Sequence, residues 1–164
     1  MVPLPVYLVL LGAVLILQTT VLDYVAIQGV KPDLVILLVV FSGFLLGTRE
    51  GAFLGFVGGL VEDLFSGSYI GLNALSNMAA GYLAGAAGER LYRENTLIAT
   101  GVTFVSSAAG LAVSYLLLLY LDIQVPPLFA LFRVIFPAAL YTSLLVPFLF
   151  GRFLRFIPVQ GRDL

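Results

Sequence analysis

Apolar residues fill this chain in long runs, and charged residues break the runs at intervals. The first run covers residues 4–22 and ends at Asp23. The connection that follows carries Gly29 and Pro32, residue types that stop and restart helices. Further runs cover 34–47, 51–65, 71–88, 96–121 and 129–154. They are separated by Arg49-Glu50, by the polar stretch Glu89-Arg90-Leu91-Tyr92-Arg93-Glu94-Asn95, and by Asp122 with Pro126-Pro127. A helix needs about 20 apolar residues to cross the hydrocarbon of a bilayer, so the pattern predicts six spans, of which the second and third are short. Those two could also join into one long helix with Arg49-Glu50 at its centre. A central arginine costs at least ~2.5 kcal/mol in lipid, and Gly47 and Gly51 bracket the charged pair as a turn would. The pattern therefore predicts a tight hairpin of two short spans.

Composition removes the soluble alternative. Hydrophobic residues make up 61% of the 164 and charged residues 10%, where a soluble domain carries about 25% charged residues. A single core of this size could not hide that much apolar surface, so lipid must be the solvent for the rest. The fold class predicted is all-α, a polytopic integral membrane bundle of one domain spanning 1–164. The first run has neither a basic leader nor a small-x-small cleavage site, and reads as a retained span. Tryptophan is absent, leaving Tyr7, Tyr24, Tyr69, Tyr92 and Tyr120 as the expected interfacial belt. With six spans Arg49, Arg90, Arg93, Arg152, Arg155 and Arg162 share one side, against Lys31 and Arg133 on the other. The positive-inside rule then places both termini in the cytoplasm. A five-span count keeps the C-terminus there and moves the N-terminus out.

Small residues are sorted onto faces. Gly51, Gly55 and Gly59 repeat every four positions in the third helix, a spacing that lets another backbone approach closely. In the fourth helix Asn73, Asn77, Gly81 and Gly85 form one row and Ser76, Ala80, Ala84 and Gly88 the next, while Leu72, Leu75, Met78, Tyr82 and Leu83 lie opposite. Ser106, Gly110 and Ser114 continue the theme in the fifth. These rows either pack the bundle against itself or offer a surface to a partner's transmembrane helix. The two asparagines would bond a neighbouring helix or hold a ligand.

Intramembrane charge is the other candidate feature, at Asp33, Glu62, Asp63 and Arg133. A pair between Arg133 and Glu62 or Asp63 would lower the cost of holding charge near lipid; alternatively all three reach interfacial water. Enzymatic chemistry has little to work with. Cysteine and histidine are absent, which removes thiol nucleophiles, imidazole bases and the usual zinc ligands. There is no phosphate-binding GxxxxGK[ST] loop and no paired-aspartate protease motif. No catalytic residue, metal or cofactor is expected, and a net charge of −1 gives no reason to expect nucleic acid.

Several motifs in order resemble the MreD family: Gln18 ending the first span, Lys31-Pro32-Asp33-Leu34 opening the second, and Gly51-x3-Gly55-x3-Gly59-Leu60-x2-Asp63. Ser66-Gly67, Gly71-Leu72-Asn73-Ala74-Leu75 and Gly81-Tyr82 follow at matching spacing, and helices five and six match in hydropathy. The resemblance implies a non-enzymatic member of the bacterial rod complex in the inner membrane. It implies association with MreC and, through it, with MreB, RodA and its transpeptidase in lateral wall synthesis. It also implies a fold similar to the substrate-binding subunits of energy-coupling-factor vitamin transporters, so a substrate-capture subunit is the alternative function. Membrane lipid and a second copy of the chain remain as further contacts.

Overall fold

The computed structural model describes residues 3–21, 24, 26, 29–30, 32–67 and 69–156, the side chains of Leu154 and Phe156 excepted. Leu22, Asp23, Lys31 and Arg162, invoked above, lie outside the described residues. Seven helices follow one another, with no β-strand among the described residues: α1 (Leu4–Thr20), α2 (Leu34–Leu46), α3 (Thr48–Ser66), α4 (Leu72–Gly88), α5 (Thr96–Tyr120), α6 (Pro127–Leu144) and α7 (Val146–Phe156). The molecule is a helical membrane bundle. α5 and α6 are long and apolar enough to cross a bilayer on their own, and α1 and α2 are shorter apolar helices.

Local chemistry explains most boundaries. Asp33 caps α2 by accepting from the Ile36 N–H at 3.0 Å, and Asn95 caps α5 by accepting from Leu97 N–H at 2.9 Å. Pro127 opens α6, where a missing N–H costs nothing. The hairpin between α2 and α3 turns on a single residue. Gly47 takes φ +115°, a backbone that L side chains rarely adopt, and α3 restarts at Thr48. Arg49 and Glu50 therefore sit in the first turn of α3, where the expected boundary had left them in the connection.

The sixth expected span is two helices, not one over 129–154. Between Ala130 and Ile135 the backbone widens into a π-helix, and at Leu145 the helix breaks before α7 begins. Pro147 accounts for the break: it lacks an N–H, and its ring crowds the carbonyl four residues back. α7 then packs Phe150 between Phe41 and Phe44, at ring distances of 5.3 and 6.2 Å.

α1, α3 and α5 run one way, and α2, α4 and the α6–α7 pair run back. Two contacts fix the register of α1 along α3. Tyr7 donates to the Leu54 carbonyl at 2.9 Å, and Gln18 reaches Glu62 at the far end. Tyr7 is 1% exposed, which removes it from the interfacial belt: its hydroxyl found a backbone partner inside the bundle. Tyr24, Tyr69, Tyr92 and Tyr120 are exposed. α2 is the central element, buried from Val35 to Leu45.

Candidate functional site

The rows of small residues meet one another inside the chain. A Cβ built on Gly55 would overlap the Asn77 carbonyl, and one on Gly59 would overlap that of Asn73. Gly51 and Gly81 would each strike the other's backbone, and Gly51 also lies against Gly43 across the hairpin. Gly85 is seated on Gly47 and Thr48, and Gly110 brings α5 onto the Ser76 carbonyl and the Ile36 side chain. α2, α3 and α4 thus touch backbone to backbone, and these rows leave no space for a second chain's helix. The bulky face of α4 points away, with Leu75, Tyr82 and Leu83 exposed.

The acidic candidates gather at one end of this block, each on donors the chain itself supplies. Asp63, 1% exposed, accepts from the N–H groups of Gly71 (2.8 Å), Asn73 (3.1 Å) and Ala74 (3.2 Å) at the start of α4. A carboxylate at a helix N-terminus satisfies amides that have no partner within the helix and meets the positive end of the helix dipole. Glu62, 9% exposed, accepts from Asn77 Nδ2 at 3.1 Å and from Gln18 Nε2 at 3.5 Å. The Gln18 carbonyl oxygen accepts from Leu34 and Val35 N–H, at 3.0 and 3.3 Å, and so adds a second cap to α2. The Asp33 N–H donates to Thr142 Oγ1 at 3.1 Å, which ties α6 to the same junction. Five helices converge on Gln18, Asp33, Glu62, Asp63, Asn77 and Thr142.

In place of the pair expected between Arg133 and Glu62 or Asp63, Glu62 is held by two amide side chains and Asp63 by the start of α4, and both carboxylates are buried rather than open to interfacial water. The physical reason is reach and economy: Asn77 lies one α3–α4 contact away, and its neutral donor can be buried at far less desolvation cost than a guanidinium. Arg133 instead sits exposed on α6 in a groove of about 730 Å³ with Phe132, Pro137, Tyr141 and Leu144. Sequence reasoning marked Gln18 and Asn77 but not their bonding to Glu62, and it passed over Thr142, because a lone threonine in an apolar run carries no signal of its partner. Among the described residues no group of three or more acidic side chains is arranged to hold a metal ion.

At the opposite end the basic residues gather. The Arg93 guanidinium donates to the carbonyls of Gly88 (2.8 Å) and Leu45 (2.9 Å), tying the C-terminal ends of α4 and α2. Glu89 accepts from the Thr48 hydroxyl and, at 3.0 Å, from the Thr48 N–H at the start of α3. Those Thr48 hydrogen bonds, with the nearby charges of Arg93 and Arg90, hold its carboxyl below the usual carboxylate range. Arg49, Arg90, Arg93, Arg152 and Arg155 all lie on this end, since Thr48 meets Glu89 and α7 passes Phe44 on its way there.

The described residues thus form a carboxylate junction at one end, a basic collar at the other and a glycine-packed middle between them. Compared with known families, the sequence matches the family model described as rod shape-determining protein MreD over residues 2–157. The chain belongs to the MreD family. Comparison with curated proteins and with solved structures gave no match. Membership gives the chain a role in rod-shape determination and places it in the system that includes MreC. In family terms, the glycine ladder and Asp63, which carried the resemblance in sequence, are the residues that bring α3 and α4 into backbone contact.

Proposed function

We propose that this chain is a non-enzymatic scaffold of the bacterial rod complex that seats the single transmembrane helix of an MreC-like protein and so helps organise lateral peptidoglycan synthesis. The family match across residues 2–157 carries this reading. Through MreC the scaffold would be linked to MreB, to RodA and to its transpeptidase. The basic collar fits the cytoplasmic face of the inner membrane, with the start of α1 and the end of α7 on that side.

The seat we favour is a groove between α4 and α5, about 440 Å³, lined by Leu83, Ala87, Leu91, Ile98, Gly101 and Val105. Gly101 lies exposed on it, with nothing within 4 Å of where a Cβ would be. It is a small residue on a spanning helix that the bundle's own packing leaves open, which is what close helix–helix approach requires. The test is co-purification with an MreC homologue in mild detergent, comparing wild type, Gly101→Leu and Val105→Trp. Loss of the partner from a variant that inserts and melts like wild type supports the seat. Full retention by both variants removes the groove from the interface, and no complex with wild-type chain removes the scaffold reading itself.

A further inference from the structure

The groove on α6 has features that the scaffold reading does not use. Arg133, Pro137, Leu140, Tyr141 and Leu144 fall at spacings of four, three, one and three, so they share one stripe of the helix. Arg133 stands at the end of the stripe away from the basic collar, and Leu144 at the end nearer the middle of the bundle. The eleven steps from Arg133 to Leu144 span about 16 Å, which is close to half the ~30 Å hydrocarbon thickness and so to one leaflet. Among the described residues no hydrogen bond or ion pair engages the Arg133 guanidinium. It sits in the π-helical segment, a rare geometry frequent at functional sites. Below Arg133 the wall is apolar and open, with Leu140 42% and Leu144 57% exposed.

A cation that no described residue engages at one end, and an apolar channel one leaflet deep below it, match a head-and-tail amphiphile. We propose that the α6 groove is a binding site for one anionic phospholipid, its phosphate on Arg133 and an acyl chain along Pro137, Leu140 and Leu144. A neutral lipid would leave the guanidinium without a partner. A soluble phosphate would leave the channel empty.

Native mass spectrometry of the full chain from mild detergent, with phosphatidylglycerol, diacylglycerol or glycerol phosphate added, reads this directly. One phosphatidylglycerol should be retained per chain. Arg133→Gln should lower that retention by about tenfold, the loss of one charge-assisted hydrogen-bonded contact, and Arg133→Lys should restore much of it. Leu140→Trp, which fills the channel from an exposed position, should lower retention of both lipids. Melting of each variant without added lipid should match wild type. Equal retention by wild type and Arg133→Gln would overturn the proposal, as would several lipids bound regardless of headgroup, or displacement by glycerol phosphate alone. If Arg133→Gln weakens only the co-purification with an MreC homologue, the groove belongs to a protein partner instead. The lipid measurement needs no partner, so its failure leaves the scaffold reading standing.

Discussion

Asp63 shows how one side chain can anchor a connection. Its carboxylate closes the tight link between α3 and α4 by meeting three amides of the following helix. A hydrogen bond to a charged acceptor contributes about 1.5–3 kcal/mol and a lost cap costs about 0.5–2 kcal/mol, and the three bonds do not add because they share one carboxylate and one helix end. Asp63→Ala should therefore destabilise the bundle by about 2–3 kcal/mol, seen as a lower melting temperature in detergent, with Asp63→Asn recovering part of the loss. Unchanged melting of the alanine variant would mean that other groups hold this link. Glycine positions separate just as sharply. Gly59→Leu has to move the Asn73 carbonyl, and overpacking of this kind costs about 1–3 kcal/mol or more. Gly101→Leu meets open space, so the same substitution should leave melting within about 0.5 kcal/mol of wild type. Equal effects at both positions would contradict the packing described.

At the scale of elements, α2, α3 and α4 behave as one block pinned at both ends. Carboxylates sit on helix N-termini at the junction, and at the collar Arg93 sits on helix C-termini while Glu89 meets the start of α3, each sign on the dipole end that favours it. The Glu89 contact carries a pH signature. Its pKa is depressed in the folded chain, so its contribution is present above the unfolded value and fades as pH falls through the lower, folded one. Wild type should melt higher than Glu89→Gln near pH 7, and the two curves should converge as pH falls below about 4. A constant gap across that range would show that the carboxylate's charge is not what holds Thr48. Arg93 has the complementary role, because its two carbonyl acceptors belong to different helices.

For the molecule as a whole, the alternation of helix direction puts five arginines on one end. The chain has no cysteine, so single introduced thiols report sidedness without background. In intact cells a membrane-impermeant thiol reagent should label Leu121→Cys and should reach Arg90→Cys only after the membrane is opened. The reverse pattern would invert the bundle and move the α6 groove to the cytoplasmic leaflet.

The sequence by itself determined the helical membrane class, the hairpin at Gly47, the sorting of α4 into a small and a bulky face, and the family. These rest on periodicity, on hydropathy and on glycine spacing, which are local properties of the chain. The tertiary structure decided which surface met which. Tyr7 reads locally as a belt residue until Leu54, 47 positions away, offers its carbonyl. Arg133 reads as a counter-ion for Glu62 or Asp63 until Asn77 and Gln18 meet the first and the amides of α4 the second. Thr142 has no reading at all without Asp33, 109 positions away. A polar group in an apolar helix must find a partner, and the sequence states the need; only the packing of the helices supplies the partner.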